Sequence, residues 1–161
     1  MLLWTKSNAP LSRFIRMITG QECSHFSFVF QGPGKSGLMF ESNLLGTHPA
    51  FLKTSLKTHE IIHQIEMTLP IEDEDQIWDL CVEKYDGKGY DFGGAIYLGL
   101  MLLRERLFKI PRPLINKWAK SDSYFCDEIY EVFNHIPEFK KIDVTSGMYT
   151  PHDIYINLQG G

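Results

Sequence analysis

Apolar and polar residues alternate along the first third of the chain in a way that predicts β-strands. In residues 24–31 three phenylalanines alternate with smaller or polar residues, and the turn-rich segment 32–37 separates them from a second short run over 38–42. We interpret this unit as a β-hairpin. Residues 59–69 alternate again and predict a third strand, so we expect an antiparallel sheet.

Helical spacing of apolar residues predicts the remaining elements. It is found in four stretches: 11–19, 72–85, 93–108 and 123–134. Gly20 gives the first helix a stop signal, and the acidic residues that open the second suit a helix N-terminus. For the tail, residues 150–157, we expect a closing strand or turn. One helix followed by strands and then helices predicts an α+β fold, with residues 1–161 in a single domain.

Composition and charge exclude several classes of protein. The 161 residues are 43% hydrophobic and 22% charged, which is typical of a globular domain rather than a disordered or fibrous chain. The net charge is −4, so we expect no nucleic-acid partner. The first residues lack the charged lead and apolar core of a secretory signal. This predicts a cytoplasmic protein, or a phage or effector protein delivered by a non-classical route.

The longest apolar run, residues 95–103, has two interpretations. It is far shorter than the roughly 20 residues that span a bilayer. It is therefore either a buried core helix or a peripheral contact with a membrane surface. The acidic net charge disfavours an anionic lipid surface unless positive charge is locally segregated.

His25 and Glu41 are the first candidates for chemistry. If Phe26 lies opposite Phe40 in the hairpin, His25 lies opposite Glu41 on the other face of the sheet. Directly opposed residues have Cβ atoms about 4.5 to 5.5 Å apart, so a carboxylate there can fix the imidazole tautomer. This is the relation between the base and its orienting residue in a catalytic triad. The alternative is a sheet histidine beside a solvated glutamate.

Cys126 is the candidate nucleophile. It lies at the first turn of the helix predicted over 123–134, where free amide groups stabilise an anion and lower a thiol pKa. A nearby imidazolium, such as His25, would strengthen the effect. The alternative is a core residue, because Cys126 shares an apolar helix face with the residues three, four and seven positions later.

The other cysteines and histidines suggest no further site. Cys23 is interpreted as a structural or peripheral residue, and Cys81 as a core residue on the apolar face of its helix. The three cysteines and six histidines lack the spacing of a zinc site or a disulfide framework, so we expect neither metal nor cofactor. The Gly-Lys-Ser sequence at 34–36 precedes a predicted strand and lacks the spacing of a phosphate loop.

Four short motifs occur in an order that resembles one protein family. They are Ser24-His25, Glu41 on the following strand, Tyr90-Asp-Phe-Gly-Gly, and Phe125-Cys-Asp-Glu-Ile. Together they resemble the circularly permuted papain-fold amidases and peptidases of the NlpC-like superfamily, in which histidine and its polar partner precede the cysteine. The resemblance extends from residue 11 to residue 155.

The resemblance implies a papain-like fold, with a central antiparallel sheet and the nucleophile helix packed against it. It makes Cys126 the nucleophile, His25 the general base and then acid, and Glu41 the residue that orients His25. Tyr90 would support the oxyanion together with the backbone N–H of Cys126. Asp127 stands where relatives more often have serine, a difference that we expect to leave the mechanism unchanged.

The implied activity is that of a thiol hydrolase. The Cys126 thiolate would attack an amide, ester or thioester carbonyl, and an acyl-enzyme would form and be hydrolysed. The family implies peptide amides, such as those of bacterial cell walls, or lipid acyl groups as substrates, and an acyltransferase is a further alternative. A second class remains open, in which the chain is a catalytically silent module of a larger assembly such as a phage particle.

Overall fold

A five-stranded antiparallel sheet forms the centre of the fold. The computed structural model describes residues 1–43, 45–120, 122–137, 139 and 141–160. The strands are β1 (Leu2–Ser7), β2 (His25–Val29), β3 (Leu38–Asn43), β4 (Gly46–Phe51) and β5 (His59–Ile65). Their order across the sheet is β4-β3-β2-β1-β5. Two short strands, β6 (Gly89–Tyr90) and β7 (Ser123–Tyr124), pair in parallel beside it.

Helices cover the sheet and confirm the predicted α+β class. They are α1 (Pro10–Thr19), α2 (Leu52–Ser55), α3 (Ile71–Tyr85), α4 (Phe92–Phe108), a 3₁₀ helix (Glu128–His135) and α5 (Pro151–Gln159). The first, second and third predicted helices are confirmed as α1, α3 and α4. Gly20 ends α1 in the left-handed region at φ 68°. In the part of the chain that the structure describes, no helix combines the length and apolarity that crossing a membrane requires.

The β2–β3 hairpin is confirmed, but its predicted register is wrong by two residues. Phe28, rather than Phe26, lies opposite Phe40. The loop is two residues shorter than expected, because Phe30 still pairs with Leu38: its N–H donates to the Leu38 carbonyl at 2.9 Å. Since side chains alternate with a period of two, this shift leaves every side chain on its predicted face.

Two predictions near the C-terminus are wrong. Residues 150–157 cap and form most of α5 rather than a closing strand or turn, because Thr150 and Asp153 make a reciprocal capping box and Pro151 occupies the first turn. Residues 123–134 begin as β7 and then turn before the 3₁₀ helix starts at Glu128. Cys126 therefore lies in that turn and not in the first turn of an α-helix.

The main core lies between one face of the sheet and the helices α3, 3₁₀ and α5. Phe26 and Phe28 of β2 contact Tyr130 and Phe133 of the 3₁₀ helix, with ring centroids 6.0 and 5.0 Å apart respectively. Trp4 donates its indole N–H to the carbonyl of Pro151 at 2.6 Å and so holds the start of α5 against β1. The side chains of His25 and Glu41 point to the other face and are free to form a site.

Candidate active site

His25 and Glu41 form a buried pair, as the sequence predicts. Nε2 of His25 lies 3.5 Å from Oε2 of Glu41, and the two side chains are only 10% and 7% exposed. They are diagonal rather than direct neighbours because of the register shift. The side chains of Asn43 and Ser55 donate hydrogen bonds to the carboxylate, at 3.0 and 3.3 Å. Glu41 is thus fixed from three sides, and it can hold the imidazole in one orientation.

Histidines surround the Glu41 carboxylate and favour its ionised form. Burial raises the pKa of Glu41, but the close contact and charge of His25 and the charges of His59 and His48 outweigh burial and lower it. Nε2 of His48 lies 3.8 Å from Oε1, and the ring of His59 lies 5.5 Å from that of His25. Sequence reasoning missed this grouping, because the strand that carries His48 was not predicted. Among the described residues, no three metal-ligating side chains are arranged to hold an ion.

Cys126 contacts the backbone of β2, the strand that contains His25. The backbone of Phe26, the residue after His25, lies against the Cys126 sulfur, where its N–H stabilises the ionised form of the thiol. This N–H is available because the described pairing between β2 and β3 starts only at Phe28. The fold therefore brings the candidate nucleophile beside the candidate base from distant parts of the sequence. No direct hydrogen bond between His25 and Cys126 occurs in the described residues.

The prediction that the Cys126 thiol has a lowered pKa is wrong. Cys126 is only 4% exposed. Burial raises its pKa well above the ordinary value, and the Asp127 carboxyl group raises it further, so the Phe26 N–H does not compensate. The physical reason is that the sulfur faces an apolar cavity and not the open N-terminus of an α-helix. The resting thiol is neutral, and a base must remove its proton.

Asp127 is a site residue whose importance the sequence analysis missed. It is 2% exposed, and its Oδ1 accepts a long contact of 4.0 Å from the Cys126 sulfur. Its Oδ2 has no hydrogen-bond partner among the described residues. Burial, followed by the charge of Glu128, raises the pKa of Asp127 well above its usual range. The acidic neighbour of Cys126 was visible in the sequence, but its burial was not.

Tyr90 lies close to Cys126, as the resemblance implies. It belongs to β6, where it pairs with Tyr124 of β7 just before the Cys126 turn. Burial raises the pKa of Tyr90 well above 10, and the charges of Cys126 and Asp127 contribute in the same direction. Its hydroxyl therefore stays protonated and can donate a hydrogen bond.

Two cavities meet at this site. An apolar cavity of about 50 Å³ lies between α1 and α4 and contains Cys126 and Asp127 in its wall. A more open cleft of about 710 Å³ contains His25. Ser24 and Tyr90 line both spaces and lie at their junction. A substrate at this junction would have its reacting group between His25 and Cys126.

The Gly93-Gly94 pair allows the start of α4 to pack tightly against the Cys126 turn. A Cβ on Gly94 would lie 2.4 Å from Oδ2 of Asp91 and 2.7 Å from a ring carbon of Phe125. Asp91 caps α4 by accepting from the Gly94 N–H at 2.9 Å. A Cβ on Gly93 would meet its nearest atom only at 3.4 Å. The requirement for glycine is therefore specific to position 94.

We expect Gly94→Ala to destabilise the protein and Gly93→Ala to leave it at least as stable. Overpacking of this kind costs about 1 to 3 kcal/mol, whereas alanine in an unobstructed helical position is favoured over glycine by about 1 kcal/mol. Thermal unfolding followed by circular dichroism measures the stability of both variants. The melting temperature of Gly94→Ala should be several degrees below that of Gly93→Ala. Equal melting temperatures would contradict the packing of Asp91 and Phe125 against Gly94.

Comparison with known proteins adds no family to this description. No protein-family model matches the chain. No curated protein and no solved structure matches it either. The functional argument therefore depends on the geometry of the site.

Proposed function

We propose that this chain is a cysteine-dependent acyl hydrolase with a papain-like arrangement of Cys126, His25 and Glu41. The observation that supports this most is the buried His25–Glu41 pair directly beside the Phe26 N–H that contacts the Cys126 sulfur. A nucleophile, a base and a residue that orients the base are the three parts of a catalytic triad. The proposed order along the chain, histidine then glutamate then cysteine, is that of the permuted family that the motifs resemble.

The proposed reaction begins with proton transfer from a neutral thiol. Because Nε2 of His25 faces the ionised Glu41, that nitrogen carries the hydrogen and Nδ1 is left to accept the Cys126 proton. The sulfur then bonds to the substrate carbonyl carbon, and the oxyanion accepts hydrogen bonds from the Tyr90 hydroxyl and the Cys126 N–H. The imidazolium gives its proton to the leaving group as the tetrahedral intermediate breaks down.

The second half of the reaction uses the same groups in reverse. His25 takes a proton from water, and the resulting hydroxide attacks the thioester carbonyl of the acyl-enzyme. The carbon–sulfur bond breaks, and the proton returns from His25 to the Cys126 sulfur. If an alcohol or amine replaces water, the same steps transfer the acyl group, so an acyltransferase differs from a hydrolase only in the acceptor.

The cavity beside Cys126 favours an acyl chain over a polar cell-wall peptide. Its wall includes Ile15, Ile18, Leu98 and Leu102, so an acyl chain beside Cys126 would meet apolar side chains. Asp127, the acidic residue in the wall, has a raised pKa and is favoured in its neutral form. An apolar chain would therefore enter without leaving a charge unpaired.

A chain-length series tests both the activity and the substrate class. We expect kcat/KM for p-nitrophenyl esters to rise from acetate to octanoate, because each buried methylene contributes about 0.8 kcal/mol, or about fourfold. Ala95 lines the cavity, so Ala95→Phe should lower kcat/KM for octanoate at least tenfold and leave acetate nearly unchanged. Hydrolysis is measured below the aggregation limit of each ester, with Cys126→Ala as the background.

Two other results would favour a different function. Equal rates for all chain lengths, with cleavage of a short peptide amide, would favour the amidase or peptidase. The absence of turnover on every substrate would favour the catalytically silent module. That alternative is supported by the burial of Cys126 and by the absence, among the described residues, of a hydrogen bond between it and His25.

A further inference from the structure

Helix α4 has apolar residues on two sides, and only one side is covered. Leu98 faces the cavity and is buried. Phe92, Ile96, Leu100 and Leu107 are 44 to 63% exposed, and their spacing places them along one face of the helix. A water-exposed helix of a globular protein ordinarily has polar residues on this side.

The exposed apolar region extends beyond α4. It includes Phe14 and Met17 of α1, which packs against α4 where Ile18 meets Gly99. It continues through Phe108, the last residue of α4, to Ile110, Leu114, Ile115 and Trp118. Eleven of the eighteen large apolar side chains that are exposed in the described residues belong to α1, α4 or segment 108–118. We refer to these eleven side chains as the apolar surface.

Positive charge is concentrated in the same part of the chain. Residues 10–20 and 92–120 together have a net charge of +7, whereas the remaining residues have −11. Arg112 is neutralised by Glu105 and Asp153, at 3.0 and 2.7 Å. Five cations of these segments are exposed: Arg13, Arg106, Lys109, Lys117 and Lys120. The acidic net charge of the whole chain thus conceals a basic region around the apolar surface.

We propose that the apolar surface docks on an anionic phospholipid membrane. Exposed apolar side chains with lysine and arginine at their edge bind such membranes by burying apolar area and by attracting the lipid headgroups. Charge also decides against a second copy of this chain facing its own image, since two basic regions would then oppose each other. Phe14 is both 45% exposed and part of the cavity wall, so the cavity opens beside the docking surface. Docking does not depend on the chemistry of Cys126.

Vesicle flotation tests this proposal with a protein that cannot turn over lipid. The Cys126→Ala chain is mixed at 0.1 M salt with vesicles of phosphatidylcholine alone, or with 30% phosphatidylserine. We expect binding to the anionic vesicles at least tenfold stronger than to the neutral ones, and weaker binding as salt is raised. The triple variant Arg106→Gln, Lys109→Gln, Lys117→Gln should lower the partition coefficient about a hundredfold.

Matched variants separate a local effect from a general one. Lys53→Gln, Lys88→Gln, Lys141→Gln removes three exposed cations outside the region and should change binding less than threefold. Leu107→Ser, Phe108→Ser should weaken binding at least tenfold, whereas Ile71→Ser, Val82→Ser on the exposed side of α3 should not.

Three outcomes would overturn the membrane proposal. The first is an absence of binding to either vesicle, and the second is equal binding by the two triple variants. The third is a dimer, detected by sedimentation, that the double variant Leu107→Ser, Phe108→Ser dissociates but that added vesicles do not dissociate. The apolar surface would then be covered by a second copy of the chain and not by a membrane. None of these outcomes affects the proposed hydrolase, which is judged by ester turnover in solution.

Discussion

Cys126→Ala is expected to abolish ester hydrolysis, with kcat/KM falling about 10⁴-fold or more toward the rate without protein. In the proposed reaction the substrate carbonyl carbon forms a covalent bond with the Cys126 sulfur, and alanine has no atom that can form this bond. The other two thiols are poor substitutes, because Cys23 and Cys81 belong to the main core and line neither the cavity nor the cleft at the site. Initial rates on p-nitrophenyl octanoate measure the effect.

Cys23→Ala and Cys81→Ala are the matched controls for this variant. Both remove a buried thiol of the same size, and both should keep kcat/KM within about threefold if the chain still folds, which circular dichroism verifies. An acyl-enzyme detected by mass spectrometry on the Cys126 peptide would identify the nucleophile independently. Substantial activity in Cys126→Ala would disprove the assignment, whatever the controls show.

The alternation of side chains along β2 explains why the sequence correctly predicts the pairing of His25 with Glu41. It places His25 and Glu41 on one face in any register that differs by an even number of residues. The observed register differs from the predicted one by two residues, so the two side chains still lie on the same face although the predicted alignment of the hairpin is wrong. The face of a side chain depends only on local alternation, whereas its exact partner depends on where the turn closes.

Strand β1 illustrates what the sequence did not reveal. Leu2, Leu3 and Trp4 are consecutive apolar residues and are all fully buried, because β1 lies in the interior of the sheet and is covered on both faces. A short apolar run of this kind has no alternation to distinguish a strand from a helix or a leader. The site depends on this strand, since β1 pairs with β2 at His25 and with β5 at His59.

The environment of Cys126 could not be predicted for a different reason. The sequence places the thiol near the start of a helix, and the expected pKa followed from that position alone. The actual pKa is set by the apolar cavity and by Asp127, and the cavity exists only because α1 and α4 come together around the turn. Desolvation depends on distant parts of the chain, so local sequence has little information about it.

His25→Ala is expected to lower kcat/KM by about 10² to 10⁴, the range typical for loss of a general base. The raised pKa of Cys126 adds a distinctive pH dependence. Without His25, only the ionised thiol reacts. A plot of the logarithm of the residual rate against pH should therefore rise with unit slope, and it should continue to rise above the ordinary pKa of a thiol. In the native chain the rate should level off at lower pH, because the imidazole removes the proton. A pH series of initial rates, corrected for background hydrolysis, measures both profiles.

Two neighbours of His25 serve as controls for this change. Glu41→Gln keeps an oxygen that can accept from Nε2 but removes the charge, and it should lower kcat/KM about 10- to 100-fold while keeping the native shape of the pH profile. His48→Ala also removes an imidazole near Glu41, at 3.8 Å, but His48 lines neither cavity at the site and should change activity less than threefold. If His25→Ala kept the native profile, the base would have to be a different residue. If His48→Ala matched the loss in His25→Ala, the histidines would act through the charge of Glu41 rather than through proton transfer at His25.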